Sequence, residues 1–311
     1  MTDFPARVAL VVHPTRPIDA AVDTLRRWAE QHDLGIVQLD TGVAARDVAA
    51  RGVLEAADLA VALGGDGTVL AALRAAAEHD IPVLGVSCGS LGALTATSAD
   101  ELPAALDRVR AGDWSRRSVP ALSIATSGGE HWAFNDFVVI RHGPGQLVVE
   151  LEVDGELYVR LAGDGLVVAT ALGSSAYTMA AGGPILAGGM EAIVCTPLAM
   201  HGGSAPPLVV PGDATVAVTV KPGFAGYEAE IDGHRQTLEG ERFELRRHAN
   251  KVTLVMFGAP DRGLTALRGR GLIADSPRVL ARDAREHTRG PGSGASTSDL
   301  AAADREKGDA L

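Results

Sequence analysis

From residue 57 to residue 79 an apolar run, a glycine-rich loop and a helical stretch follow one another without a spacer. Residues 57–63 are apolar apart from Asp58, Gly64-Gly65-Asp66-Gly67-Thr68 comes next, and a helical pattern runs from Val69. Few folds accommodate a strand that ends in glycines and turns directly into a helix. Glycine tolerates positive φ and carries no Cβ, so backbone N–H groups at the helix start can approach an oxyanion. The same alternation continues on both sides. Residues 7–12 form a valine-rich run ending at His13-Pro14, and Ile18, Val22, Leu25 and Ala29 then recur at helical spacing. Residues 34–39 and 81–86 read as further strands, and residues 69–79 as a helix. This pattern predicts an α/β N-terminal domain with a parallel, doubly wound sheet. Ser98-Ala99-Asp100-Glu101 has capping-box spacing and predicts a helix whose apolar side holds Leu102, Ala105, Leu106 and Val109.

Beyond Trp114 the texture changes to short Val, Leu and Ile runs separated by Gly, Asp and Pro, at residues 121–126, 137–140, 146–153, 157–161, 166–170, 215–220 and 251–257. A β-rich C-terminal domain is expected. Two tetrapeptides, Val153-Asp154-Gly155-Glu156 and Ile231-Asp232-Gly233-His234, carry the Asp-Gly signal of a tight hairpin. With 311 residues the chain exceeds the size at which one core stops growing. We divide it into an α/β domain, residues 1–118, and a β-rich domain, residues 119–260. Residues 261–285 form a further segment, and the Gly-, Ser- and Ala-rich residues 286–311 are expected to be largely disordered.

Composition narrows the function classes. A formal net charge of −11 argues against nonspecific binding to nucleic acid or to an anionic membrane, both of which need clustered cations. Cys88 and Cys195 are the only cysteines, which leaves no disulfide framework and no thiolate metal site. The start Met1-Thr2-Asp3-Phe4-Pro5 lacks the basic and apolar regions of a signal peptide, so a cytoplasmic location is expected. The nine histidines show no paired ligand spacing, and no protein-built metal cage is assigned.

Within the glycine loop Asp66 is the informative residue. A carboxylate repels phosphate unless it binds Mg²⁺ or takes a proton from an attacking hydroxyl, so its presence points to phosphoryl transfer. An Asp-Gly turn joining strand to helix would look the same in isolation. A second block supplies context: Gly163-Asp164-Gly165, an apolar strand to Thr170, then Gly173-Ser174-Ser175-Ala176-Tyr177 and Ala181-Gly182-Gly183-Pro184. Its hydroxyls and turn N–H groups suit a nucleotide.

In this order and about 100 residues apart, the two blocks resemble the Gly-Gly-Asp-Gly-Thr and Asp-Gly…Thr-Gly-Ser-Thr-Ala-Tyr…Ala-Gly-Gly-Pro motifs of the NAD kinase family. The first motif alone is shared with diacylglycerol and sphingosine kinases and with phosphofructokinases; the second discriminates. The resemblance implies an α/β domain followed by a β-rich domain, a final segment returning to the first domain, and a homodimer or homotetramer. It also implies that ATP phosphorylates the 2′-hydroxyl of the adenosine ribose of NAD, with Mg²⁺ or another divalent cation. Asp66 would activate the hydroxyl or engage Mg²⁺, and Gly64, Gly65, Gly67 and Thr68 would shape the loop around phosphates. Asn135, Asp164, Ser175, Ala176 and Tyr177 would line the dinucleotide site, and Asp136 would accept from ribose hydroxyls. This chain departs from the family pattern at several positions. Asp136 stands where Glu is usual, Ser87 where Asn is typical, Ala93 where Phe is typical, and Ala180 where Ser is often found. Two other readings use the same residues: a kinase for a different nucleoside or lipid alcohol, and a noncatalytic dinucleotide-binding regulator.

Overall fold

The computed structural model describes residues 7–40, 47–54, 57–90, 92–221, 223, 226–258, 264–269 and 271–288. The chain divides into two compact units, Met1–Leu264 and Thr265–Leu311. In chain order the first unit contains β1 (Arg7–Val12), α1 (Asp19–Gln31), β2 (Gly35–Gln38), β3 (Leu59–Gly64), α2 (Asp66–Ala76), β4 (Val83–Ser87), β5 (Thr97–Ser98) and α3 (Leu102–Arg110). It continues with β6 (Ser115–Thr126), β7 (Gly129–Ala133), β8 (Asp136–Arg141), β9 (Leu147–Val153), β10 (Glu156–Gly163), β11 (Gly165–Thr170) and α4 (Tyr177–Ala180). The remaining strands are β12 (Ala192–Leu198), β13 (Leu208–Pro211), β14 (Thr215–Lys221), β15 (Tyr227–Ile231), β16 (His234–Gln236) and β17 (Arg242–Met256).

Strands β2, β1, β3 and β4 lie side by side and parallel, with Val12 level with Leu63 and Gly64 level with Ser87. Both faces of this sheet are covered, so its strands are continuously apolar rather than alternating. Val8, Leu10 and Val12 of β1 pack under α1 and α3 with Ile18, Val22, Leu25 and Leu106. Ala9 and Val11 point the other way, into a cluster with Val69, Ala72, Leu73 and Ala76 of α2. Helices on both faces give the doubly wound arrangement.

The β-rich region is a sandwich. A six-stranded sheet, ordered β13-β12-β11-β8-β15-β16, packs on β6, β9, β10, β14 and β17 of the larger sheet. Side chains of period two fill the space between them: Phe137 and Val139 from β8 and Leu166 and Val168 from β11 meet Val216, Val218 and Phe243 from β14 and β17. The Phe137 and Phe243 rings lie 5.2 Å apart, centroid to centroid. β17 spans 15 residues and joins the two regions. Its first half pairs antiparallel with β14, and near its end Leu254 pairs parallel with Val83 of β4. β6 follows it along most of its length, with a register shift between His248 and Val252.

Both predicted Asp-Gly hairpins form. Asp154 and Gly155 have φ of 50° and 82°, and Asp232 and Gly233 have 50° and 74°, the left-handed pair that suits the twist of a two-residue hairpin. The capping box does not form. Glu101 is the residue that precedes α3, and no side chain caps that helix. Ser98 instead ends the short strand β5, and its hydroxyl donates to the Glu101 carboxylate at 3.2 Å. Strand pairing with β4 holds Ser98 away from the helix N-terminus. α2 begins at Asp66, three residues earlier than the apolar pattern suggests, because its first three residues, Asp66-Gly67-Thr68, are polar or glycine and carry no hydrophobic signal.

In the second unit, α5 (Leu264–Gly269) and α6 (Pro277–Thr288) are linked by a turn in which Arg268 pairs with Asp275. The stretch 289–311, most of the expected tail, lies outside the described residues. Among those described, no helix is long and apolar enough to cross a membrane.

Candidate active site

The carboxyl ends of β1, β3 and β4 converge on the glycine loop. From β1 the chain proceeds to β2 on one side, whereas β3 flanks β1 on the other, so the winding reverses between β1 and β3. Above such a reversal the two outgoing loops diverge and leave a crevice, the usual ligand position in open α/β sheets. Here the loops are His13–Arg16 and Gly64–Gly67. A Cβ on Gly64 would collide with the Thr68 hydroxyl and press on His13. A Cβ on Gly67 would meet nothing within 4 Å, so at that point the start of α2 faces open space.

Asp66 opens α2, and its carboxylate is held by the following loop. Oδ2 accepts from Ala93 N–H at 3.0 Å and Oδ1 from Leu94 N–H at 2.9 Å. Gly92 permits this, since a Cβ there would collide with the carboxylate. The turn is pinned from behind by Arg117, whose Nη1 donates to the Ala93 carbonyl at 3.1 Å.

The second half of the site is built around Asp232. Its side chain is fully buried at the β15–β16 turn, where Oδ1 accepts from the N–H groups of Phe134 (3.0 Å), Asn135 (2.7 Å) and Asp136 (3.3 Å). Oδ2 pairs with Arg74 Nη1 at 2.8 Å. Arg74 lies on α2, eight residues or about 12 Å along the axis from Asp66. One helix therefore carries both the loop carboxylate and the guanidinium that anchors the Asn135–Asp136 segment.

Asp136 starts β8 with its side chain on the outer face of the six-stranded sheet, the face on which Tyr177 packs against Val138, Val167 and Ala169. The Asp136 carboxylate accepts the backbone N–H of Tyr177. Burial, reinforced by the charges of Asp232 and Glu230, nevertheless pushes Asp136 up to about 7. The Tyr177 hydroxyl is raised as well, first by burial and then by Glu230, Asp164 and Asp136. Ser175 and Ala176 adjoin Tyr177 in a tight turn closed by Ala176 N–H to Gly173 O at 2.9 Å, and the Ser175 hydroxyl donates to Leu172 O at 3.3 Å. Gly173 lies directly against the Asn135 carbonyl, where a Cβ would collide. Asp164 stands apart from this cluster, ion-paired to Arg141 at 2.6 Å, and acts on it through its charge.

Asn135, Asp136, Ser175, Ala176 and Tyr177 thus lie together, with Asp164 felt there through its charge, while Gly64–Thr68 forms a second locus joined to them by α2. Arg74, Gly92, Glu230 and Asp232 complete this geometry; motif reading passes over Arg74 and Glu230 and assigns no role to Gly92 or Asp232. Asp232 carries a signal as half of a hairpin turn and within the Ile231-Asp232-Gly233 stretch that resembles the family, neither of which shows its reach to residues 134–136. Arg74 stands out only as a charge inside the Ala- and Leu-rich helix. Among the described residues no group of three or more His, Cys, Asp or Glu could hold a metal on its own. Mg²⁺ is commonly bound by one or two carboxylates plus substrate phosphates, and Asp66 beside a phosphate loop fits that donor set.

A glycine loop at a sheet reversal, with an acidic residue within it and the Asn135–Tyr177 cluster tied to it through α2, fits a phosphoryl-transferring, nucleotide-binding α/β protein. Family models agree: the ATP-NAD kinase N-terminal domain matches residues 11–114 and the C-terminal domain residues 135–256. The chain belongs to the ATP-NAD kinase family. Among curated relatives, the NAD kinase of Ectopseudomonas mendocina is 36% identical over 211 residues, 65% of this chain and 71% of the relative. That of Heliobacterium modesticaldum is 36% identical over 209 residues, 65% and 74%. Among solved structures, yeast NADH kinase complexed with NADH superposes with a TM-score of 0.74 at 20% identity, covering 87% of this chain and 88% of the other. An Archaeoglobus fulgidus NAD kinase in complex with ATP gives 0.66 at 24% identity, covering 85% and 97%. The two structural likenesses establish the fold.

Proposed function

We propose that this chain is an ATP-dependent NAD kinase that phosphorylates the 2′-hydroxyl of the adenosine ribose of NAD to give NADP. The observation that supports this best is the Asp66–α2–Arg74–Asp232 connection, which ties a phosphate loop to a pocket built for a dinucleotide. Gly64, Gly65, Gly67 and Thr68 shape the loop around phosphates. Asn135, Asp136, Asp164, Ser175, Ala176 and Tyr177 line the acceptor site, with the Asp136 carboxylate receiving ribose hydroxyls. Asp66, oriented by Ala93 N–H and Leu94 N–H, takes the 2′-hydroxyl proton as the ribose oxygen bonds to the γ-phosphorus and the bond to the β,γ-bridging oxygen breaks, releasing ADP. A divalent cation such as Mg²⁺ would be held chiefly by the phosphate oxygens and would supply charge neutralisation on the transferring group; Asp66 would be its protein ligand in the alternative role, in place of taking the proton.

In this reading residues 1–118 supply the phosphate loop and residues 119–260 most of the acceptor site. The enzyme works in the cytoplasm as a homodimer or homotetramer. Incubation with ATP, Mg²⁺ and NAD, followed by an NADP-specific dehydrogenase, should reveal NADP. ATP turnover on another alcohol with no NADP formed would overturn this acceptor.

A further inference from the structure

We infer that Arg16 contacts the phosphates of the donor nucleotide, an assignment that rests on the kinase reading above. Arg16 lies in the loop leaving β1, on the opposite wall of the crevice from the glycine loop. Its guanidinium covers the backbone ends of both β3 and β4. A Cβ on Gly65 would lie 3.1 Å from Arg16 Nη1 and 3.7 Å from Cζ, and one on Gly89 would lie 3.4 Å from Nη1. The guanidinium therefore rests against bare glycine backbone at two neighbouring strand ends. Glycine at these positions leaves the space that the arginine fills.

The arginine is aimed as well as near. His13 Nδ1 accepts the N–H groups of Thr15 (3.2 Å) and Arg16 (3.1 Å), while His13 N–H donates to Leu63 O at 2.9 Å. The imidazole works as a side-chain cap for the turn, and the His13 backbone N–H locks the turn to β3, one residue before Gly64. Nδ1 must be unprotonated to accept, and burial together with the Arg16 charge lowers the His13 pKa in the required direction.

Chemistry and topology then choose the ligand. Asp66 places a negative charge in the loop that is to receive a polyphosphate, in a chain of net charge −11. A planar guanidinium binding two phosphate oxygens offsets that repulsion. The acceptor pocket belongs to the α2 face of the parallel sheet, where Phe134 and Leu172 pack with Val69 and Leu73. Arg16 arrives from the α1 face, where Ile18 and Cys88 pack with Leu63 and Val86. On that side it adjoins a cavity of about 410 Å³ lined by Pro17, Asp19, Cys88, Gly89, Ser98 and Asp100, among others. Such a volume lies within the range of small-molecule sites. The acceptor and Arg16 thus approach the loop from opposite sides, which assigns Arg16 to the donor.

The test is calorimetric titration of the full chain and of its Arg16→Met and Arg16→Lys variants with ATP plus Mg²⁺ and, separately, with NAD. Loss of a charge-assisted phosphate contact should weaken ATP binding in Arg16→Met by roughly 10- to 100-fold. NAD affinity and Tm should hold, and Arg16→Lys should recover part of the loss. In turnover KM for ATP should rise while KM for NAD stays put. Unchanged ATP affinity in Arg16→Met, or equal weakening for ATP and NAD, would overturn the assignment of Arg16 alone. A parent chain that binds no ATP would overturn the kinase reading together with it.

Discussion

Asp66 and Asp136 are both acidic residues of the candidate site, yet their surroundings give them different work. Asp66 has each oxygen met by a backbone N–H. In Asp66→Asn one oxygen becomes an NH₂ that faces an N–H it cannot pair with. We therefore expect a stability cost of about 1–3 kcal/mol. Turnover should slow by roughly a hundredfold or more, with little change in NAD affinity. Thermal denaturation and steady-state kinetics on one sample separate the two effects; NAD affinity falling in step with turnover would remove Asp66 from the chemical step. Asp136 is raised by burial to about 7 from 3.8. Because the folded value lies above the unfolded one, the folded chain holds this proton more tightly. The associated stability is complete below about pH 4 and is lost as pH rises through 7, an effect on the order of 4 kcal/mol. Denaturant titrations from pH 4 to 8 should show this slope in the parent and not in Asp136→Asn. In turnover, kcat/KM for NAD should rise through about pH 7 as the carboxylate becomes available to ribose hydroxyls, a limb that Asp136→Asn should lack.

At the scale of elements, the Arg74–Asp232 pair fastens α2 to the β15–β16 turn. Asp232 is fully buried and Arg74 partly so, at 0% and 19% side-chain exposure. Arg74→Met leaves a carboxylate in the interior with its backbone donors but without its counter-charge. This should cost about 3–5 kcal/mol and raise KM for NAD more than KM for ATP, because the Asn135–Asp136 segment loses its anchor; a variant as stable as the parent would show the pair to be dispensable. The strand-and-loop grammar around Gly64 is legible in the sequence because strands buried on both faces are apolar throughout and the glycines mark their end. Asp232 is not, because an Asp-Gly turn is a complete local explanation of that residue. Its reach to Phe134, Asn135 and Asp136 is a property of sheet pairing between β15 and β8. The first half of β17 is equally silent. Arg242, Arg246, Arg247 and His248 dilute its alternation, because a strand held by neighbours on both edges needs less apolar surface to stay in place.

For the first unit as a whole, β6 and β17 govern how it folds. Val252 and Leu254 complete the cluster under α2, and Val255 the cluster under α1 and α3. A fragment ending at residue 118 would keep the glycine loop and α2 but lose β17, the parallel neighbour of β4, exposing an apolar strand edge. We expect this fragment to be unfolded or aggregated, and the full chain to lose far-UV circular dichroism and tryptophan fluorescence in one coincident urea transition across the first unit. A soluble fragment with a sigmoidal melt of its own would contradict this.

The uninterrupted path of β17 also restricts how the substrates are enclosed. Many phosphotransferases shut two lobes over their reactants like jaws around a flexible joint. Here the region bearing the phosphate loop and the region bearing the acceptor pocket are sewn along a common strand, and no such joint lies between them. For the proposed reaction we therefore expect closure to come from small local movements rather than from one region swinging against the other, since the latter would have to bend a continuous strand.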